Sequence, residues 1–172
     1  MTTSELLEYR SQRDHFYKHA PESPLPDDMK DDFDGLTYFD RDEALIFETV
    51  LDRVEPTEVA IATTTGDERT YLRVATATVG IEGEQVTVAL YSSGHESLFL
   101  PFRDGTSGKE TYGAARYVDV LPDGDGKATI DFNYSYAPYC AVSDNYSCAL
   151  PPAENWLTVP IRAGERMATS GA

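Results

Sequence analysis

The chain has 172 residues, which is enough for one domain with a substantial core and short for two. A hydrophobic content of 41%, with 11% aromatic residues, excludes an intrinsically disordered chain. The 30 acidic and 14 basic residues give a net charge of −16, which repels phosphate backbones and argues against a nucleic-acid partner.

The acidic residues are spread over the whole chain rather than collected in one tail. This composition is similar to that of haloarchaeal proteins, in which molar salt screens the repulsion between surface carboxylates. We therefore expect a halophilic protein. An ordinary acidic protein of a low-salt organism is the alternative.

The sequence contains no run of about 20 apolar residues, the length that spans a bilayer. The N-terminus also lacks the basic start and apolar core of a signal peptide. We expect a cytoplasmic protein with no membrane partner.

The first predicted element is an amphipathic helix that begins after Ser4 as N-cap and ends near residue 19. Its larger side chains recur at helical spacing: Leu6, Tyr9, Arg13, Phe16 and Tyr17. The proline-rich residues 21–26 end this helix. Asp27 and Asp28 are typical of the N-terminus of a second short helix that reaches residue 33.

From residue 36 onward the hydrophobic period changes from 3.6 to 2, which predicts strands. The predicted strands are 36–39, 44–54, 58–64, 70–81, 85–92, 98–102, 115–120, 127–134 and 156–161. Glycine-containing turns near residues 66, 83 and 124 predict hairpins between them. The pattern predicts a mainly β (α+β) fold, an antiparallel barrel-like or strongly coiled sheet whose N-terminal amphipathic helix either plugs one end or packs across the sheet.

We interpret residues 1–172 as a single domain. Residues 1–34 form its helical N-terminal segment, residues 36–162 its β-rich body, and residues 168–172 a frayed tail.

The loop 103–110 contains a Gly-Lys pair, as a phosphate-binding loop does. The match fails because Arg103 stands where the first glycine is required and Glu110 where a Ser or Thr is required. The loop also leads toward a strand and not toward a helix N-terminus, which would hold phosphate. A P-loop is therefore excluded.

The same loop still concentrates cations and hydroxyls that suit a carboxylate or other small anion. These residues are Arg103, Lys109 and Arg116, with Thr106 and Ser107. The alternative is an internal network in which Arg103 pairs with Asp104 or Glu110 and holds a long loop in place.

Cys140 and Cys148 are the only cysteines. Their spacing does not fit a metal site, and the three histidines lie far away in sequence, so a thiol nucleophile lacks an obvious base. Three interpretations stay open: two buried thiols, a redox-dependent disulfide, or catalysis by Cys140.

The Asp123-Gly-Asp-Gly turn lacks the later ligands of a calcium loop, and we predict neither a metal nor a cofactor. Tyrosines are plentiful near the loop and the cysteines: Tyr112, Tyr117, Tyr134, Tyr136, Tyr139 and Tyr146. Such residues are usually core, but several together also form the wall of a ligand pocket.

Several motifs, taken in order, resemble the family catalogued as domain of unknown function 1684. They are Leu98-Phe-Leu-Pro-Phe-Arg-Asp-Gly-Thr-Ser-Gly-Lys-Glu-Thr-Tyr-Gly-Ala-Ala-Arg-Tyr, Asp131-Phe-Asn, Pro138-Tyr-Cys-Ala, Cys148-Ala-Leu-Pro-Pro-Ala-Glu-Asn-Trp-Leu and Pro160-Ile-Arg-Ala-Gly-Glu. The resemblance covers nearly the whole chain. One departure is Ala137-Pro-Tyr-Cys140, where family members tend to have Asn-Pro-Pro-Cys. The family implies kinship and no activity.

Three functions therefore compete. The first is binding of a small molecule, an anion or carboxylate, between the 103–116 and 140–155 loops. Its candidate ligand-binding residues are Arg103, Asp104, Thr106, Ser107, Lys109, Arg116, Tyr117, Asn133 and Asn155. The second is an enzyme that uses Cys140, or Glu110 with Tyr112 as acid and base, in the same pocket. The third is a structural or interaction domain without a ligand. The identity of the ligand and the oligomeric state are not predicted.

Overall fold

Two helices and nine strands form the regular structure of residues 2–168, the part of the chain that the computed structural model describes. The helices are α1 (Thr3–His19) and α2 (Asp27–Lys30). The strands are β1 (Thr37–Tyr38), β2 (Ile46–Val50), β3 (Asp52–Ala62), β4 (Glu68–Ile81), β5 (Glu84–Ser92), β6 (Leu98–Phe102), β7 (Arg116–Val120), β8 (Lys127–Asp131) and β9 (Glu165–Arg166). Single 3-10 turns lie at Glu43–Leu45, Phe132–Tyr134, Tyr139–Ala141 and Ala153–Asn155.

The main sheet is an antiparallel meander of five strands in the order β3-β4-β5-β6-β7. The turn between β4 and β5 is a two-residue hairpin in which Glu82 and Gly83 both have positive φ, as the right-handed strand twist favours. Strand β2 pairs with β8, and β1 pairs with β9, in two separate two-stranded ladders.

The sheet does not close into a barrel within residues 2–168, so the barrel-like prediction is not confirmed. Closure requires the two edge strands to pair with each other. Here β3 forms one edge and β7 the other, and each is covered by irregular chain instead. The coarser prediction, a mainly β fold of antiparallel sheets with a few helices, is confirmed.

The two faces of the main sheet bury different partners, because side chains alternate along each strand. One face packs against the β2–β8 ladder and the final segment, with Val79, Leu90, Leu100, Val118, Phe132 and Ile161 at its centre. The opposite face carries a smaller cluster formed by Ile61, Ala89, Tyr91 and Ala149. The chain after β8 crosses this second face, and α1 lies beside it.

The N-cap of helix α1 lies two residues earlier than predicted. Thr2, not Ser4, is the N-cap: its hydroxyl accepts a hydrogen bond from the Glu5 amide at 3.1 Å, and the Glu5 carboxylate accepts one from the Thr2 amide at 2.9 Å. This capping box outweighs the Ser4 signal. The second helix ends at Lys30, three residues before the predicted end.

Three predicted strands differ clearly from the structure. The predicted strand 127–134 ends at Asp131, and its last three residues form a 3-10 turn. Residues 44–54 are divided between a 3-10 turn, β2 and the start of β3. Residues 156–161 form no strand, and this segment instead lies beside the loop after β6 through one parallel bridge between Arg103 and Trp156. Of the predicted tail, residues 169–172 lie outside the described residues.

Arginines rather than a broad apolar stripe attach α1 to the body. Arg10 donates hydrogen bonds to the carbonyls of Phe39 and Asn133, each at 3.3 Å. Arg13 donates to the Glu165 carboxylate at 2.7 Å, so the helix is joined to both ends of the β-rich body. None of the helices between residues 2 and 168 combines the length and hydrophobicity needed to cross a membrane.

Candidate functional site

Residues 136–150, here called the strap, cross the second face of the main sheet from one edge to the other. At the β7 edge, the amide and carbonyl of Tyr136 bond to those of Tyr117 at 2.9 and 3.0 Å. At the β3 edge, Leu150 donates to the carbonyl of Ala62 at 2.8 Å. Four strand spacings of about 4.8 Å separate the two edges, so the strap spans about 19 Å.

The strap, α1 and the sheet enclose an open cavity of about 600 Å³, here called the aromatic groove. Nine aromatic side chains line it: Tyr9, Phe16, Tyr17, Tyr71, Phe99, Tyr117, Tyr136, Tyr139 and Tyr146. Protein interiors are packed without voids of this size, so the chain leaves a large aromatic surface without an internal partner.

The rings form two connected rows. On the sheet side, Tyr71 stacks on Phe99 with ring centroids 5.5 Å apart, and Phe99 meets Tyr117 edge to face at 4.7 Å. On the other side, Tyr139 contacts both Tyr17, at 6.1 Å, and Tyr146, at 5.2 Å. These contacts hold the rings in fixed orientations, which favours binding of another flat group.

Burial raises the pKa of the groove phenols. The pKa of Tyr9 is raised mainly by burial, and the pKa values of Tyr17, Tyr117 and Tyr136 are raised further for the same reason. All four phenols are therefore protonated at neutral pH. Some already have partners, since the Tyr117 hydroxyl donates to the carbonyl of Ala149 at 2.6 Å.

Three charged side chains also line the groove. Arg13 is neutralised by Glu165, and its guanidinium lies 5.6 Å from the centre of the Tyr136 ring. Arg69, on β4, donates to the carbonyl of Ser147 in the strap. Asp119, on β7, accepts hydrogen bonds from the Tyr136 hydroxyl at 3.2 Å to each carboxylate oxygen.

The cysteines lie beside the groove as two free thiols. Cys148 lines the groove, whereas Cys140 contacts the Tyr112 hydroxyl at 3.3 Å. Burial, and the hydrogen bond to Cys140, raise the pKa of the Cys148 thiol to about 11. Since the thiolate is the nucleophile, this raised pKa makes Cys148 a weaker nucleophile than an ordinary thiol at neutral pH.

The loop after β6 uses its polar groups internally. The Asp104 carboxylate accepts hydrogen bonds from the Thr106 hydroxyl at 2.9 Å and from the Ile161 amide at 2.6 Å. The Ser107 hydroxyl, in turn, accepts one from the Asp104 amide at 3.0 Å. A Cβ at Gly105 would lie 3.0 Å from the Pro160 nitrogen and 3.1 Å from the Thr158 carbonyl oxygen, so a side chain there would push this backbone away. These contacts, here called the loop lock, attach the loop after β6 to the segment 157–161.

Arg116 is the centre of this lock, and only 1% of it is exposed. Its guanidinium donates to the carbonyls of Ile161, Ala163 and Glu165 at 2.8, 2.5 and 3.2 Å. It also lies 3.4 Å from the Asp104 carboxylate. Burial lowers the pKa of Arg116. The sequence left two alternatives for this loop, an anion site and an internal network. The structure contains an internal network, in which Arg116 and not Arg103 pairs with Asp104.

The three predicted cations do not converge. Arg116 is buried in the lock, Arg103 lies over the exposed Trp156 ring at 5.1 Å, and Lys109 is exposed. None of them lines the aromatic groove or the second cavity, which holds about 360 Å³.

The predicted acid and base are also separated. Glu110 forms an ion pair with Arg162 at 3.1 Å, whereas Tyr112 bonds to Cys140 and lines the second cavity. Among residues 2–168, no group of three or more His, Cys, Asp or Glu side chains is placed to hold a metal ion.

Both predicted asparagines hold the backbone together. The Asn133 side chain donates to and accepts from the backbone of Asp42 at 3.0 and 2.9 Å. Asn155, fully buried, bonds to the amide and carbonyl of Ala89 at 2.8 and 2.9 Å and to the carbonyl of Pro101 at 2.9 Å. It fills the gap where β5 and β6 pair only between Tyr91 and Phe99.

Of the predicted ligand-binding residues, Tyr117 alone lines the groove. The abundance of tyrosines was a usable signal, because Tyr136, Tyr139 and Tyr146 line it too. Sequence reasoning missed the contributions of Tyr71 and Phe99, which lie on separate strands, and of α1. A usable signal was the alternation along β6, in which Phe99 faces away from the core residues Leu98 and Leu100.

Comparisons with known proteins agree with the resemblance noted in the sequence. A solved relative is the solution NMR structure of an uncharacterized protein from Haloarcula marismortui, at 38% identity and a TM-score of 0.74. The similarity covers 95% of this chain and 93% of that one. A comparison with proteins of curated function finds no match. A family model described as "Protein of unknown function (DUF1684)" matches residues 31–166. The chain belongs to the DUF1684 family.

Proposed function

We propose that this protein binds a small organic molecule with a flat aromatic or apolar body in the aromatic groove. The observation that carries the proposal is the groove itself, about 600 Å³ lined by nine aromatic side chains and few polar ones. Ligand sites of drug-sized molecules have this volume and this predominantly apolar lining.

The proposal keeps the small-molecule function expected from the sequence and changes the site. The anion pocket was expected between the 103–116 and 140–155 loops, but the cations of the first loop are engaged elsewhere or lie apart. The second loop contributes through Tyr146, Ser147, Cys148 and Ala149, which line the groove. No reaction is proposed.

The arrangement of the rings supports a flat ligand. The Tyr71–Phe99–Tyr117 row lies on a sheet, which is a rigid support, and the Tyr139–Tyr146 pair lies on the strap. Aromatic groups gain about 0.5–1.5 kcal/mol per well-oriented ring pair beyond the burial of their area. A ligand ring inserted between the two rows would meet aromatic surface on both sides.

Three matched indole compounds test the proposal: tryptamine, tryptophol and indole-3-propionate, which are cationic, neutral and anionic. Each is titrated into isotope-labelled protein while backbone amide NMR shifts are recorded. We expect at least one compound to shift amides of α1, β6, β7 and the strap together. Shifts confined to the 103–111 loop, or no saturable shift with any of the three, would overturn the proposal.

A pair of variants on α1 provides the control. Gln12 is exposed and lines the groove, so Gln12→Trp places an indole in its mouth and should abolish binding. Its neighbour Ser11 is exposed but does not line the groove, so Ser11→Trp should leave binding unchanged. Equal binding by both variants would contradict the groove as the site.

A further inference from the structure

We propose that the ligand of the aromatic groove is an organic cation, a protonated amine on an aromatic or apolar body, held by Asp119. This inference rests on the proposed function and names the class of molecule that the groove takes.

Asp119 is a groove carboxylate that forms no ion pair with another residue of the range 2–168. Burial raises its pKa, and the Tyr136 hydrogen bond and His95, which lies beyond ion-pair distance, act in the opposite direction. The ion pairs of residues 2–168 involve other acids, and the Tyr136 hydroxyl is the only side chain in that range that hydrogen-bonds to this carboxylate. A phenol supplies one proton to the carboxylate, which leaves lone pairs open for a ligand ammonium group.

Aromatic residues lie close to this carboxylate. Tyr136 contacts it directly, Tyr117 precedes it by two residues on the same face of β7, and its charge helps to raise the pKa of Tyr9 on α1. Rings of this kind attract a cation to their faces, and the attraction is strongest for Trp and Tyr. An ammonium group beside Asp119 would therefore gain both an ion pair and ring contacts.

The two arginines of the groove do not remove this preference. Arg13 is paired with Glu165 at 2.7 Å. Arg69 lies on β4, three strands from β7, which places the two backbones about 14 Å apart at about 4.8 Å per strand. In addition, the net charge of −16 raises the local concentration of small cations around the whole molecule.

The same three indoles, which share one ring system and differ in charge, test the inference by calorimetric titration. We expect tryptamine to bind about tenfold or more tightly than tryptophol, and indole-3-propionate to bind most weakly, because a charged hydrogen bond adds about one to two decades in affinity. Asp119→Asn keeps an acceptor for Tyr136 and should make tryptamine bind no better than tryptophol.

Glu48→Gln is the matched control. Glu48 is exposed on β2, outside the groove, so this variant changes the net charge by the same amount while leaving the site intact. We expect it to retain the preference for tryptamine. Loss of the preference in Glu48→Gln would attribute it to the overall field and overturn the role of Asp119.

The two proposals fail in different ways. If tryptophol or indole-3-propionate binds in the groove as tightly as tryptamine, the cation inference is wrong and the proposed function stands. If no indole binds, or if Gln12→Trp and Ser11→Trp bind all three equally, the groove is not the site and both proposals fail.

Discussion

The side-chain amide of Asn155 forms hydrogen bonds that a neighbouring strand would otherwise supply. It bonds to both backbone groups of Ala89 and to the carbonyl of Pro101, in a position where β5 and β6 have separated. A primary amide is the one neutral side-chain group that both donates and accepts as a peptide unit does.

Asn155→Ala should therefore destabilise the fold strongly. It leaves three buried backbone groups unpaired, and each costs about 1–3 kcal/mol, so we expect a loss of about 3 kcal/mol or more in the free energy of unfolding. Urea unfolding measures this change. Asn145→Ala, in an exposed part of the strap, is the control and should change stability little. A similar small effect of both substitutions would contradict the role assigned to Asn155.

Asp67 gives the protein a stabilising contribution that acid removes. Hydrogen bonds from the hydroxyls of Thr63 and Thr65, with smaller help from Ser147, lower the pKa of this exposed carboxyl to about 2. Because the folded-state pKa lies below its ordinary value, the contribution is present above about pH 4 and is lost as the pH falls toward 2.

The Asp67→Asn variant measures how much of the pH dependence of stability comes from the Asp67 carboxylate. We expect this variant to have a lower melting temperature than the wild type at pH 6, because neutral acceptors form weaker hydrogen bonds. The difference should shrink as the pH is lowered from 4 to 2. A difference that is constant over this range would show that Asp67 contributes through its shape and not its charge.

At the scale of elements, the segment 157–166 has no neighbouring strand along most of its length. Only its last two residues form β9, and the rest is held by the loop after β6 and by Arg116. Because one buried guanidinium holds this segment in place of a strand ladder, the attachment of residues 157–164 to the sheet depends on a single side chain.

Arg116→Met should be far more damaging than Arg103→Met. The first removes a buried partner of Asp104 and leaves three carbonyls unpaired, which costs about 3–5 kcal/mol or prevents folding. The second loses a contact with an exposed Trp156, worth about 0.5–1 kcal/mol. Equilibrium unfolding of the two variants gives the comparison. Equal costs would mean that Arg116 is not the centre of the lock.

The helices and strands were easier to predict from the sequence than the contacts between side chains. The positions of α1, β4, β5 and β6 follow from periodicity and turn residues, which are local properties of the chain. The location of the site could not be predicted in this way. Arg116 and Asn155 have side chains typical of a binding site, but both form hydrogen bonds with the protein's own backbone. Tyr71 and Phe99 lie 28 residues apart and meet only after β4, β5 and β6 have assembled. The residue types that could form a site are visible in the sequence. Which of these side chains meet in space depends on how the strands and helices pack.

At the scale of the whole molecule, the acidic surface predicts a response to salt. We expect the melting temperature to rise between low and molar KCl at pH 7, because molar salt shortens the screening length to about 3 Å and weakens repulsion between carboxylates. Thermal unfolding followed by circular dichroism measures the effect.

The same measurement near pH 4.4, the isoelectric point expected from composition, is the control. With little net charge to screen, KCl should have a much smaller effect there. A melting temperature at pH 7 that stays flat or falls with KCl would contradict the prediction that the protein is adapted to high salt.

The attachment of α1 also determines the order in which a newly made chain can complete its fold. Arg10 and Arg13 have nearer partners at Phe39 and Tyr38. Their distant partners, Asn133 and Glu165, come 123 and 152 residues later in the chain. An isolated helix of 17 residues is marginal in water, so we expect α1 to dock fully only after both distant partners have been synthesised. Because α1 forms one side of the aromatic groove, the groove is completed last. A chain cut short before Glu165 would keep the Arg10 contacts with Phe39 and Asn133 but lose the ion pair of Arg13, so we expect it to hold α1 less firmly.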